Sequence, residues 1–190
     1  MPDAPPPSAH STVNLLTRRT FLVGGSAVAA GFALFGATHG RHELEISHRT
    51  FAIRDLPDGF VNFRIVQMSD IHLEEYTEAW FLEKMVAQIN ALNPDLVLLT
   101  GDFVSRGPWG ESVAHKAAGT CAEILSGLKA PQRFGILGNH DVSVGADHVI
   151  RPLEAHKTPV LVDSFVAIER GHDRLWLCGS DDAGTRTPNL

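Results

Sequence analysis

The sequence is poor in sulfur and has no basic block. Its two cysteines, Cys121 and Cys178, belong to no CxxC or Cys/His pattern, which argues against a structural zinc cage of thiolates. They read as two small buried hydrophobes with no disulfide between them. Lysine and arginine form no cluster and the formal net charge is -6, so nothing marks a nucleic-acid-binding surface. No internal repeat is present. What remains is globular: 44% of the 190 residues are hydrophobic and 20% charged, the make-up of about one ordinary domain.

The N-terminal residues are of a different kind. Residues 1–11 are rich in Pro, Ala and Ser and read as disordered. Thr17-Arg18-Arg19-Thr20-Phe21-Leu22 follows, and then an uncharged run to Ala37. Two arginines ahead of a modest apolar stretch give the layout of a signal peptide, and the pair with its Phe-Leu resembles the twin-arginine (Tat) signal. The run is about 18 residues long and glycine-rich, at the short edge for a spanning helix. The expectation is a leader over 1–40 that passes through the Tat machinery, with cleavage near Ala37 to His39 and an exported, periplasmic product. Left uncleaved, the same leader would hold the protein at the membrane.

After the leader, periodicity and turn residues predict alternating strands and helices. Leu44 to Ile53 reads as an edge strand and Val61 to Met68 as a second strand. Thr77 caps a helix to about Leu92, with Phe81, Met85, Ile89 and Leu92 on one face, and Asn93-Pro94 stops it. Asp95 to Thr100 reads as a strand covered on both faces. A helix over Glu111 to Leu128, a strand over Arg133 to Leu137 and a helix over Asp147 to His156 follow. Val160 to Asp163, Phe165 to Glu169 and Arg174 to Cys178 read as three further strands. This order predicts an α/β fold built on βαβαβ crossovers and a mainly parallel sheet, with part of a second sheet behind it.

Three of the predicted strands end in ligand-type residues: Asp70-Ile71-His72, Gly101-Asp102 and Gly138-Asn139-His140-Asp141. In open α/β sheets the carboxyl ends of the strands converge on one crevice, so residues far apart in sequence meet there. Carboxylate, imidazole and amide oxygen suit divalent ions such as Mn, Fe or Zn. Asp-x-His, Gly-Asp and Gly-Asn-His-Asp, in this order and each at a strand end, resemble the calcineurin-like metallophosphoesterases over about Leu44 to Asp182. Asn93-Pro94-Asp95 and Gly179-Ser180-Asp181-Asp182 fit the same family.

The resemblance implies an α+β sandwich, a phosphate-ester substrate and two divalent metal ions as cofactors. It implies that Asp70 and His72 hold the first metal, that Asp102 bridges both, and that Asn139 ligates the second. His140 would assist the departing oxygen and Asp141 would orient it. Such an acidic chain would rely on the ions to receive its anionic substrate.

The family pattern also breaks. An isolated His and a later Gly-His-x-His, which complete the metals in the family, do not appear in their expected places. Gly171-His172-Asp173-Arg174 departs at its fourth residue, and His172 reads as a turn residue. His115, His148 and His156 read as helix-surface residues. Residues 183–190 carry no apolar pattern and read as an irregular tail after a phosphoesterase domain over 41–182. The expectation is an incomplete copy of a metal-dependent phosphoesterase, with a second half that is not whole. The alternatives are an inactive metal-binding fragment and a membrane-tethered binding module.

Overall fold

The computed structural model describes Gly31, residues 42–108 and residues 110–184. The rest of the expected leader, with its arginine pair, and the tail beyond Gly184 lie outside the described residues. The chain divides into two units, Met1–Ser47 and His48–Leu190, and the second carries every element below. Among the described residues no helix is long and apolar enough to cross a membrane.

Strands β1 (Ile65–Met68), β2 (Leu96–Leu99) and β3 (Gln132–Gly135) form a parallel sheet in the order β1-β2-β3. Register runs from Ile65 opposite Leu96 to Met68 opposite Leu99, and from Leu96 opposite Gln132 to Leu99 opposite Gly135. β2 lies in the middle, and Leu96, Val97 and Leu99 are all buried. A run of apolar side chains with no alternation is what a strand covered on both faces requires. β1 alternates between exposed and half-buried positions, and Ile65 is 52% exposed.

Helix α1 (Ala79–Ala91) joins β1 to β2, and α2 (Glu111–Leu125) joins β2 to β3. Both crossovers step the same way across the sheet, so right-handed connections place both helices on one face. α1 buries Phe81, Leu82, Met85, Val86 and Ile89, and Asn93 takes a positive φ of 48° just past its end. α2 buries Ala114, Ala117, Ala118, Cys121, Ala122 and Leu125. Its small side chains let it pack closely against α3 (Asn139–Ala155), which buries Val144, Val149 and Leu153. Strands β4 (Ser164–Arg170) and β5 (Asp173–Gly179) form an antiparallel hairpin closed at Gly171-His172, the turn expected for His172.

Several boundaries differ from expectation. Residues 43–53 form no strand and are mostly exposed: alternation alone makes no strand without a neighbouring edge to pair with. β1 begins four residues later than expected, because Asp58–Phe60 forms a 3-10 turn that buries Phe60. α1 is capped by the backbone at Glu78 rather than by Thr77, whose carbonyl accepts from Glu74 N–H. Val160 contributes an isolated parallel bridge to Gly135 instead of opening a strand.

The largest difference is at α3, where two helical segments meet at a kink at Gly145: the second corresponds to the helix expected over Asp147 to His156, and the first, from Asn139, was not expected. Gly138 is its N-cap, and Asp141, at the third helical position, accepts the Gly138 N–H. This is the carboxylate half of a capping box. Gly145, at φ 111° and ψ 102°, is non-helical and separates this first segment from the expected helix.

Candidate metal centre

Because β1, β2 and β3 are parallel, their C-terminal ends share one edge of the sheet, and the loops that leave them run side by side. The loop after β1 pairs with the loop after β2: Asp70 N–H donates to Gly101 O (3.1 Å), His72 N–H to Asp102 O (2.9 Å) and Leu73 N–H to Phe103 O (3.0 Å). Asp70, His72 and Asp102 have φ values of 57°, 45° and 55°. Asp, Asn and His are the non-glycine residues most often found in the left-handed region, yet each such residue still costs about 1–3 kcal/mol. Three of them within one cluster indicate that the surrounding structure holds them there. Ile71, between the first two, is 2% exposed and anchors the loop while its neighbours turn their side chains outward.

Those side chains converge. His72 Nε2 lies 3.8 Å from Asp70 Oδ1 and 3.7 Å from Asp102 Oδ2. The rings of His72 and His140 meet edge to face with centroids 4.8 Å apart. One ligand atom each from His72, Asp102 and His140 lies within 4.8 Å of the others. Asp102 forms part of the floor, its side chain 12% exposed, whereas that of Asp70 is 67% exposed at the rim. Asn139, the first residue of α3, is exposed beside His140.

The donor set fits a divalent ion. His72 Nδ1 is buried and has no hydrogen-bond partner, an expense that a protein interior rarely tolerates without a task. Its other nitrogen faces two carboxylates at separations longer than hydrogen bonds but short enough for a shared cation to link. The donors are all imidazole nitrogen and carboxylate oxygen, as Mn, Fe or Zn prefer.

Two glycines make the approach of the loops possible. A Cβ on Gly101 (φ 89°) would overlap the backbone nitrogen of Gly138, and a Cβ on Gly138 would overlap the Asp102 carboxylate. The Gly-Asp and Gly-Asn-His-Asp motifs are thus two halves of one packed joint.

Asp141 has a different place from the expected one. It is wholly buried, and its carboxylate accepts backbone N–H groups from Asp102 (2.7 Å), Phe103 (2.9 Å), Val104 (3.2 Å) and Gly138 (3.0 Å). Both oxygens are therefore engaged by backbone N–H groups, and neither is hydrogen-bonded to the His140 ring that Asp141 was expected to orient. Burial pushes its carboxyl up, to about 6, against the pull of these N–H groups. Burial, with the Asp141 charge behind it, also holds the Cys121 thiol far above its ordinary range.

Two ring contacts were not expected from the sequence. Tyr76, four residues beyond His72, sets its ring edge-on to the His72 imidazole at 5.6 Å. His115 is half-buried rather than on the surface: its Nε2 lies 3.0 Å from Val144 O, and its ring stacks on His148 at 3.6 Å. The pairing of two helices, which periodicity does not reveal, brings these rings together.

A parallel sheet that gathers carboxylate and imidazole donors at its strand ends defines an α/β protein with a candidate metal centre. Within that class the chain belongs to the calcineurin-like phosphoesterase family, whose profile matches residues 63–179. The chain is similar to the metallophosphoesterase YkuE of Bacillus subtilis (strain 168), at 35% identity over 136 residues. That match takes in 66% of this chain and 45% of YkuE. The UDP-2,3-diacylglucosamine pyrophosphatase LpxG of Chlamydia muridarum is 39% identical over 90 residues, 45% of this chain and 26% of its own. The phosphodiesterase YaeI of Escherichia coli (strain K12) is 28% identical over 176 residues, 88% of this chain and 62% of its own. The chain thus spans less than half the length of the first two relatives.

Proposed function

We propose that this chain hydrolyses a phosphate ester with divalent metal ions held at the ends of its three parallel strands. The observation that carries the reading is the convergence of His72, Asp102 and His140, with Asp70 beside them, from three separate strand ends. Asp70 and His72 are assigned to one ion, Asp102 to a shared position and Asn139 to a second ion, two ions of Mn, Fe or Zn in all. Bound there, the ions supply Lewis acidity toward the phosphate oxygens and activation of water. His140 is assigned the transfer of a proton to the leaving oxygen. Asp102 stays oriented because its Oδ1 accepts the His140 N–H at 3.0 Å, which leaves Oδ2 for metal. The names of two relatives, a pyrophosphatase and a phosphodiesterase, support a diester or pyrophosphate among the substrates.

A second reading, metal binding without turnover, draws support from the size of the cluster. Among the described residues one group of three His and Asp side chains comes together, and a pair of ions calls for more donors than that.

The two readings separate in one assay. Metal per chain is measured by elemental analysis of the purified full chain, together with hydrolysis of p-nitrophenyl phosphate and bis(p-nitrophenyl) phosphate before and after chelation. Close to two ions per chain with chelator-sensitive turnover supports the first reading, and bound metal without turnover supports the second. No bound metal sinks both.

Export through the Tat machinery to the periplasm is part of the proposal and rests on Arg18-Arg19 and the apolar run behind them. Replacing both arginines with lysine should retain the protein in the cytoplasm. Unchanged location in a fractionation experiment would remove this part alone.

A further inference from the structure

Asp141, in the first turn of α3, carries a charge-bearing group at 0% exposure. Its four partners are all backbone N–H groups, and three of them, Asp102, Phe103 and Val104, are consecutive. Successive N–H groups turned to one side form a concave cradle for an anion. Here the anion is supplied by the protein itself. The cradle exists only while Asp102 keeps its left-handed φ of 55°, the conformation that also aims its carboxylate at His72. In return, Asp102 Oδ1 accepts the N–H of His140, the residue before Asp141. Each aspartate thus grips the backbone of the other's segment.

We infer that Asp141 is a positioning residue, whose buried carboxylate fixes the conformation of Asp102 and thereby sets the affinity of the centre for its ion. The inference rests on the metal-site reading above and deepens it. Without an acceptor at Asp141, three neighbouring N–H groups would be buried unpaired. The Asp102 loop would then relax toward ordinary φ values and carry its carboxylate off the site. Asparagine fills the same space, but its amide group would set N–H donors against the backbone N–H donors that now face the Oδ atoms.

The test compares Mn2+ binding by the wild-type full chain, Asp141→Asn and Leu153→Ala, followed by electron paramagnetic resonance at a temperature where circular dichroism shows all three folded. Leu153 is a buried apolar residue of the same helix, so its truncation destabilises without touching the clasp. Asp141→Asn should weaken Mn2+ binding about 10- to 100-fold, as loss of the groups that orient metal ligands does elsewhere, while Leu153→Ala keeps the wild-type affinity. Equal affinity in Asp141→Asn and wild type overturns the inference, as does equal weakening in both variants. Failure of the wild type itself to bind Mn2+ is a different pattern, which overturns the metal-site reading and this one with it. If Asp141→Asn does not fold, native-state amide exchange of the wild type decides. The Asp102, Phe103 and Val104 amides should be protected like those of β2, and exchange at open-loop rates overturns the clasp.

Discussion

The strand-end loops and the β4–β5 hairpin use their backbone to opposite ends. At the strand ends, Asp70, His72 and Asp102 all hold positive φ, Gly101 and Gly138 interlock, and a buried carboxylate ties four backbone groups together. In the hairpin the backbone is regular, and one face is left open. Phe165 is 66% and Trp176 59% exposed, the two rings packing edge to face at 5.5 Å. At its turn end Asp173 accepts the Gly59 N–H at 2.7 Å and Arg170 lies 3.6 Å from Asp95. Strain is stored where ligands must be aimed, and regular structure is spent where only surface has to be covered.

The comparison can be broken or sharpened by mutation. The largest expected effect is at Asp102: Asp102→Ala should bring bound metal in elemental analysis close to zero while the far-ultraviolet dichroism stays native. Retention of wild-type metal would move the centre elsewhere. Next is the middle of the sheet, where Leu99 is 1% exposed. Leu99→Ala should lower the unfolding free energy by about 2–5 kcal/mol in urea titration, with no comparable effect for Trp176→Ala, expected within about 0.5 kcal/mol. A large loss at Trp176 would show the hairpin face to be covered.

At the joint between the loops, Gly138→Ala should cost about 1–3 kcal/mol through overpacking and weaken metal binding as well. A stability loss with metal affinity intact would separate the joint from the site. Smallest is the exposed Arg174–Glu169 pair on the hairpin. Arg174→Ala should shift stability by no more than about 1 kcal/mol, and less at high salt. A larger shift would mean that the hairpin carries stability and not merely cover.

Much of this was legible in the residues. The unbroken apolar run Leu96-Val97-Leu98-Leu99 announced a central parallel strand, and Phe81, Met85 and Ile89 announced the inner face of α1. The three ligand motifs were recognisable because each directly follows a strand, where side chains from distant segments must meet. The role of Asp141 was not legible. A residue next to His140 in sequence looks like its partner, but the start of α3 turns the carboxylate back onto the Asp102 backbone. The expected strand over 44–53 failed for the complementary reason: its alternation was real, but no strand edge took it up.

The sequence alone determined the order of elements, the apolar faces and the types of residue available for a metal, because periodicity and side-chain chemistry are local properties. Tertiary structure alone decided that His72, Asp102 and His140 share one point, that Gly101 and Gly138 must be glycines, and that Asp141 serves the backbone instead of a ring. Those facts depend on distances between segments more than thirty residues apart, and only the packing of three parallel strands sets such distances.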